Sequence, residues 1–372
     1  MPSIDRRFIR YFDWPGFILI LLLSAISLAS VYSATYRPEL GLATQYSVFF
    51  NKQLFGILSG LVIFTIMCLI DYHRLQRWGY FLYIITLVLL VFTLIKGSVG
   101  LGAQRWINLG VIKFQPSELA KLFFPAFFTY YLAAAHKEFT SVRDFLPILG
   151  VLGLSAVLIL KQPDLGTAII IVVSGLVLLW LAGIGNKFFI WLAVIMLVTA
   201  PLSWAFLKPY QKQRIAVFLG EGNSRKERYQ IEQSCIAIGS GGLTGKGFLQ
   251  GTQNILQFLP ESRTDFIFSV VCEEWGFVGA ISLIIIYMLL FLRAFFIIFT
   301  IKDQYAQLLA TGLIIHIVIS TLINIGMVTG LLPIVGIPLP LMSYGITHSW
   351  ITFASFGWFN SIAMRRFYHN SL

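Results

Sequence analysis

Residues 15–35 read PGFILILLLSAISLASVYSAT, from Pro15 to Thr35, without one charged side chain. About 20 apolar residues are enough to cross a bilayer as a helix. The pattern recurs down the chain. Steps of that length place ten candidate spans near 15–35, 53–70, 79–95, 119–135, 145–161, 167–183, 187–206, 266–291, 306–329 and 344–363. The first run is too long for a signal peptide and lacks a small-residue cleavage site, so it is read as a span.

Composition agrees. Of 372 residues, 58% are hydrophobic and 12% charged, with a mean hydropathy of +0.82. A soluble domain runs at about 45–50% apolar and about 25% charged. So little polar surface cannot cover a globule of this size, which excludes a cytosolic enzyme, a disordered chain and a secreted disulfide scaffold. The expected architecture is all-α, a single polytopic membrane domain over residues 1–372. Cys68, Cys235 and Cys272 are scattered and the five histidines dispersed, so no zinc or redox spacing appears.

Lys and Arg total 27 against 16 Asp and Glu, a net charge of +11. Part of that excess orients the loops. Arg6, Arg7 and Arg10 precede the first span, Arg74 and Arg77 follow the second, and Lys137 and Arg143 the fourth. Lys187 follows the sixth, Arg293 and Lys302 the eighth, and Arg365 and Arg366 the last. These basic loops alternate, which places both termini in the cytoplasm and the polar loops 96–118 and 207–265 outside. The second external loop joins spans seven and eight and is far longer than an ordinary connection. From Lys208 to Asp265 it holds eight basic and five acidic residues. A net positive external loop runs against the orientation bias, so the charge is read as kept for function, such as an anionic substrate or the head groups of membrane lipids; no nucleic-acid partner is expected. Within it, Ile236–Leu243 mixes apolar residues and glycines, suggesting amphipathic pieces on the membrane surface.

Four polar constellations interrupt the apolar runs. In the first, Arg105, Trp106 and Asn108 precede Gln115-Pro116-Ser117-Glu118, with Lys121 one turn on. Ser117 fits a helix N-cap. Glu118 and Lys121 share a helix face, either as a local ion pair or as a charge pair lining a cavity, and Trp106 equally fits an interfacial anchor. In the second, Lys161-Gln162-Pro163-Asp164-Leu165-Gly166-Thr167 has turn chemistry, so Asp164 either caps a helix or joins Lys161 and Gln162 in a polar rim. In the third, Glu261, Arg263 and Asp265 crowd before an apolar run and Glu273-Glu274 follow about two turns into it. Asp265 could cap that helix, but capping does not explain the crowding, and buried carboxylates are costly unless paired or hydrated. In the fourth, Gly330 to Gly345 carries prolines at 333, 338 and 340 and cannot form a regular helix.

In these motifs the chain resembles the SEDS family, the bacterial shape, elongation, division and sporulation proteins. Gln115–Glu118, Gln162–Thr167, Ile236–Gly242, Gly251-Thr252-Gln253, Leu259–Phe268 and Leu339–Gly345 match in order across nearly the whole chain. Glu273–Gly279 and Gly330–Pro340 are similar to the elongation branch more than to the division branch. Two segments depart from the family. Glu221–Arg228 stands where an Asp-Pro-x-Gly-x-Gly type segment is usual, and Gly345-Ile346-Thr347-His348-Ser349 where Gly-Gly-Ser follows the Ser-Tyr pair.

The resemblance implies a peptidoglycan glycosyltransferase of the cytoplasmic (inner) membrane that polymerises lipid II on the external face, releases undecaprenyl pyrophosphate and works with a class B penicillin-binding protein. Asp265 matches the family's catalytic aspartate. A carboxylate base suits an inverting attack by an acceptor sugar hydroxyl. The leaving pyrophosphate calls for positive charge, for which Arg105, Lys113, Lys121, Arg214 and Arg263 are the candidates. Trp106, Glu118 and Asp164 would line the same cavity. A magnesium or manganese ion suits this chemistry, although no ligand set is legible, and no organic cofactor is expected. A precursor flippase needs a similar basic cavity but no carboxylate beside an external hydroxyl, and a non-catalytic scaffold needs neither.

Overall fold

A computed structural model of the chain describes residues 10–36, 44–100, 103–108, 110, 113–135, 142–207, 209–219 and 225–367. The helices are α1 Trp14–Thr35, α2 Thr44–Leu69, α3 Tyr72–Arg77, α4 Gly79–Lys96, α5 Pro116–Ala134, α6 Leu146–Lys161, α7 Leu165–Leu181 and α8 Asn186–Phe206. They continue as α9 Pro209–Phe218, α10 Arg225–Ser240, α11 Thr252–Ile255, α12 Ile267–Thr300, α13 Gln304–Val328 and α14 Ile346–Arg365. Every one of the ten apolar stretches read from the sequence is helical. Short polar signals set their ends: Asp71 accepts from His73 N–H before α3, and Asp303 accepts from Tyr305 and Ala306 N–H before α13. These are carboxylate N-caps.

Among the described residues, six helices are long and apolar enough to cross a membrane, including α1, α4, α12 and α13. α7 and Asn186–Thr199 of α8 are apolar but shorter. Many large apolar side chains point outward, with Val62 60%, Val88 61%, Leu197 76% and Phe299 80% exposed. Leaving such a side chain in water forgoes about 1.5–3 kcal/mol of burial, so this surface belongs against lipid.

α13 runs through the centre and packs on α5, α7, α10, α12 and α14. One large apolar core surrounds α1, α2 and α12–α14, and a smaller one joins α4–α7. α2 and α14 make the most extensive helix pair. A Cβ at Gly60 would collide with the Phe353 ring, and one at Gly357 with the Phe64 carbonyl. Small residues let helix backbones approach closely where lipid offers no hydrophobic drive. Polar bonds add to the seam: Trp350 Nε1 donates to Ser59 Oγ at 2.6 Å and Ser361 Oγ to Ile70 O at 2.7 Å.

Four features differ from the expectations. The fold is not purely α, because the polar loop 96–118 contains a three-stranded antiparallel sheet of β1 Ser98–Gly100, β2 Ala103–Asn108 and β3 Lys113–Phe114. The strands are too short to show alternation in the sequence. The loop 207–265 contains helices α9, α10 and α11. α10 packs on α12: Ser234 Oγ bonds to Ser269 Oγ at 2.8 Å and Val328 O at 2.7 Å, and a Cβ at Gly241 would strike the Cys272 carbonyl, while Ile236 and Leu243 stay exposed. The eighth stretch continues to Thr300 and bends at Gly276, whose φ of 63° suits glycine. Of the atypical segment 221–228, residues 221–224 lie outside the described residues, whereas Ile346–Ser349 simply open α14.

Candidate active site

The site is built on the segment leading into α12. Pro260 is followed by Glu261 in the left-handed region, φ 53°, and Glu261 O accepts from Thr264 N–H and Phe266 N–H. Non-glycine residues adopt that conformation at a cost of about 1–3 kcal/mol, and such strain clusters at functional sites. The carbonyls of Arg263, Thr264 and Asp265 are each held. Tyr344 N–H donates to Arg263 O at 2.9 Å, Ser343 Oγ donates to Thr264 O, and Asn324 Nδ2 donates to Asp265 O at 2.8 Å. Asn324 also donates to Ile337 O, and Ser343 Oγ accepts from Leu339 N–H. The proline-rich loop before α14 is therefore the mould for this segment.

Fixing the backbone leaves the Asp265 side chain free. Phe266 is the N-cap of α12 and no side chain caps that helix. The capping alternative for Asp265 is thus removed. Its carboxylate has no hydrogen-bond or ion-pair partner among the described residues. Burial, with the Glu261 charge second, pushes its pKa up from 3.8 to about 6, while Arg105 and Arg214 pull the other way.

The opposing wall carries the cations. Asp164 does cap α7, accepting from Thr167 N–H at 3.2 Å, and it also gathers neighbours. Gln115 Nε2 reaches it at 2.8 Å, Ser117 Oγ at 3.3 Å and Arg105 at 3.4 Å. Ser117 is therefore not the cap of α5; Gln115 occupies that position, and Ser117 sits in the first turn. Arg105 lies on β2, its guanidinium 5.9 Å from the Trp106 ring. Its Nε is buried without an acceptor among the described residues. One such orphaned donor costs about 1–3 kcal/mol, and an anionic ligand would satisfy it.

Deeper along α5, Lys121 pairs with Glu118 at 2.7 Å, with both side chains buried. His348 Nδ1 meets the other Glu118 oxygen at 3.1 Å. The remaining candidates scatter. Arg263 stacks on Phe49, 4.1 Å from the ring centroid, and faces a cavity of about 320 Å³ shared with Asn254, Leu259 and Glu261. It is not among the charges acting on Asp265. The Lys113 side chain is exposed, and its carbonyl accepts from Thr347 Oγ1. Lys161 is exposed, and Gln162 Nε2 is taken by Leu90 O and Thr93 Oγ1, so neither joins a rim with Asp164.

The adjacent glutamates are anchors. Glu273 accepts from Lys246 Nζ at 2.7 Å, Gln253 N–H at 3.0 Å and Thr252 Oγ1 at 3.1 Å, and Glu274 accepts from Ser33 Oγ. Together they strap the 246–254 loop and α1 to α12. Sequence reasoning missed Asn324, Ser343 and the role of His348. A lone asparagine in an apolar span was the available signal for Asn324, because polar groups at membrane depth serve contacts. Among the described residues no three His, Cys, Asp or Glu side chains converge as a metal-ligand set.

Comparison with known proteins places the chain. The model of the cell cycle protein family FtsW/RodA/SpoVE matches residues 14–368. The peptidoglycan glycosyltransferase MrdB of Escherichia coli (strain K12) is 37% identical over 361 residues, 95% of this chain and 94% of that one. Stage V sporulation protein E of Bacillus subtilis (strain 168) is 37% identical over 340 residues, covering 88% and 90%. The crystal structure of the rod shape determining protein RodA of Thermus thermophilus superposes with a TM-score of 0.72 at 26% identity, covering 96% and 98%. A chain from a peptidoglycan synthase complex that coordinates polymerization and crosslinking gives 0.80 at 26% identity, covering 96% and 99%. On the match over nearly its whole length, the chain belongs to the FtsW/RodA/SpoVE family.

Proposed function

We propose that this protein is a peptidoglycan glycosyltransferase that polymerises lipid II into glycan strands during cell elongation, with Asp265 as the general base. The observation that carries the assignment is the Asp265 carboxylate. Its backbone is held on three successive carbonyls, yet its side chain is unpartnered and its pKa lies near 6. A base with a pKa close to the working pH is the most effective.

The acceptor sugar hydroxyl attacks the anomeric carbon of the donor, and Asp265 takes the hydroxyl proton. The new glycosidic bond forms as the bond to pyrophosphate breaks, and its electron pair leaves with undecaprenyl pyrophosphate. Arg105 and Arg214, whose charges already act on Asp265, stabilise the charge growing on the leaving group. The buried Arg105 Nε is a ready donor for a phosphate oxygen. No three carboxylate, imidazole or thiol groups converge among the described residues, so a magnesium or manganese ion, where one is used, would depend chiefly on the substrate's phosphates and not on a dedicated protein cage. Such an ion would supply further charge neutralisation.

The reading includes ten spans, both termini in the cytoplasm and the site on the external face of the cytoplasmic membrane. The ten helical stretches and the alternation of basic loops support it. A class B penicillin-binding protein is the proposed partner, supported by the likeness to a chain of a complex coupling polymerization to crosslinking. The test is purified protein with labelled lipid II in detergent, without another polymerase. Glycan strands that vanish with Asp265→Asn uphold the assignment. Transport of lipid II across vesicles without product would make the protein a flippase.

A further inference from the structure

The family resemblance leads one to expect Gly-Gly-Ser after Ser343-Tyr344; this chain instead reads Gly345-Ile346-Thr347, and an imidazole, His348, follows directly. The structure gives it a partner. One wall of the site is residues 263–265, pinned to Ser343, Tyr344 and Asn324, so Asp265 is fixed relative to the loop that runs directly into α14. The other wall is Arg105 with Asp164, Gln115 and Ser117 at the starts of α7 and α5. Two polar side-chain contacts join the first turn of α14 to the second wall. Thr347 Oγ1 donates to Lys113 O at 3.0 Å, and His348 Nδ1 meets Glu118 Oε2 at 3.1 Å.

An ionised carboxylate only accepts, so Nδ1 carries the proton and donates. The other Glu118 oxygen is held by Lys121 at 2.7 Å. Glu118 therefore has a donor on each side, and His348 supplies the one from the opposite wall. His348 Nε2 is buried with no partner among the described residues, so the ring contributes this single directed bond.

We propose that His348 is a positioning residue, tying the wall that carries Asp265 to the wall that carries Arg105 through Glu118. The inference rests on the reading of Asp265 as the base. Without the tie, Glu118 keeps only Lys121 as a side-chain partner, and the first turn of α14 keeps only the Thr347 contact to that wall. Misplacement by about 1 Å far from the chemistry can cost on the order of 100-fold in rate. The loss falls on kcat and leaves KM for lipid II unchanged, because the geometry matters in the transition state.

The experiment measures kcat and KM per folded molecule on purified full-length protein with labelled lipid II. The variants are His348→Ala, His348→Asn, His348→Gln, Glu118→Gln and the double variant His348→Ala with Glu118→Gln. An asparagine amide nitrogen falls near Nδ1, whereas a glutamine amide reaches toward Nε2. The expected result is a kcat loss of roughly 10- to 100-fold for His348→Ala, recovered in His348→Asn but not in His348→Gln, and a double variant no slower than Glu118→Gln alone. Normal kcat in His348→Ala, equal loss in His348→Ala and His348→Asn, or additive losses in the double variant would each overturn the proposal. If His348→Ala fails to fold, the comparison of His348→Asn with His348→Gln decides. Asp265→Asn serves as the separate control. Full activity there removes the base assignment, while recovery in His348→Asn still reports the tie through Glu118.

Discussion

Asp265→Asn separates catalysis from stability in opposite directions, and that opposition makes it the most exacting test. The substitution keeps shape and hydrogen-bonding capacity and removes only basicity. Losing a general base typically costs about 10²–10⁴-fold in rate. For stability, burial raises the folded-state pKa from 3.8 to about 6. A raised carboxyl contributes stability that is fully present below the unfolded pKa and is lost as pH rises through the folded one. At neutral pH the native protein therefore carries a charge that its site disfavours. A shift of roughly 2 units at about 1.4 kcal/mol each gives near 3 kcal/mol. The side chain keeps some solvent access, so about 1–3 kcal/mol is the working range. Asp265→Asn should thus melt higher than wild type at pH 7.5, with the gain shrinking as pH falls toward 5. Wild-type kcat should fall tenfold per pH unit below about 6, where the base is protonated. Polymerisation rate, melting temperature and lipid II binding on one preparation decide the matter. A folded Asn variant that polymerises normally, or one that is inactive because it has lost stability, refutes the reasoning.

Other expectations follow from neighbouring contacts. Arg105→Lys should lower kcat about as much as Arg105→Ala, because an ammonium does not replace a guanidinium that serves Asp164 and a phosphate together; restoration by Lys in the polymerisation assay would reduce Arg105 to a point charge. Glu273→Gln leaves Lys246 without its partner and should cost about 1–3 kcal/mol, seen as a lower melting temperature and faster proteolysis near 246–254; unchanged protease sensitivity would argue against the strap. Gly357→Leu should cost about 1–3 kcal/mol or more by forcing α14 off α2, measured as lost monodisperse protein, with normal yield counting against the close seam. A membrane-impermeant thiol reagent on spheroplasts should label exposed Cys235 before buried Cys68 and Cys272. Preferential labelling of Cys68 would overturn the external placement of the long loop.

The sequence is transparent where structure is local and opaque where it is not. The helices are legible because each is an apolar run with a short polar end, and the Glu118–Lys121 pair because three residues bring side chains to one helix face. The cap at Asp164 is local too. The sheet at 98–114 is hidden because its strands are too short for a period to register. Asn324 and Ser343 are hidden because they act on residues 59 and 79 positions away. Glu273 and Glu274 are the instructive case: two glutamates inside an apolar span suggested chemistry. The partners that neutralise and hold them, Lys246 and Ser33, arrive from other segments. Arg263 shows the converse, since proximity in sequence to Asp265 did not bring its guanidinium to the carboxylate.

The distribution of satisfied and unsatisfied groups explains how one region can be both rigid and reactive. Around Asp265 the backbone is held, with three consecutive carbonyls bound by groups from α13 and the loop before α14. The side chains are not. The Asp265 carboxylate is unpartnered, and Arg105 Nε, Asn324 Oδ1 and His348 Nε2 are buried without a partner among the described residues. Each such group costs about 1–3 kcal/mol. Here the cost is sustained by packing elsewhere, above all by the α2–α14 seam and the central α13. On the proposed reading, a pyrophosphate arriving beside Arg105 would satisfy a donor the fold leaves bare, while the hydroxyl of the incoming sugar would find an acceptor with no competitor. Binding energy would then be released where charge moves during the reaction, without the walls reorganising to provide it. A helix cap or a surface ion pair at Asp265 would have saturated the carboxylate and removed that capacity.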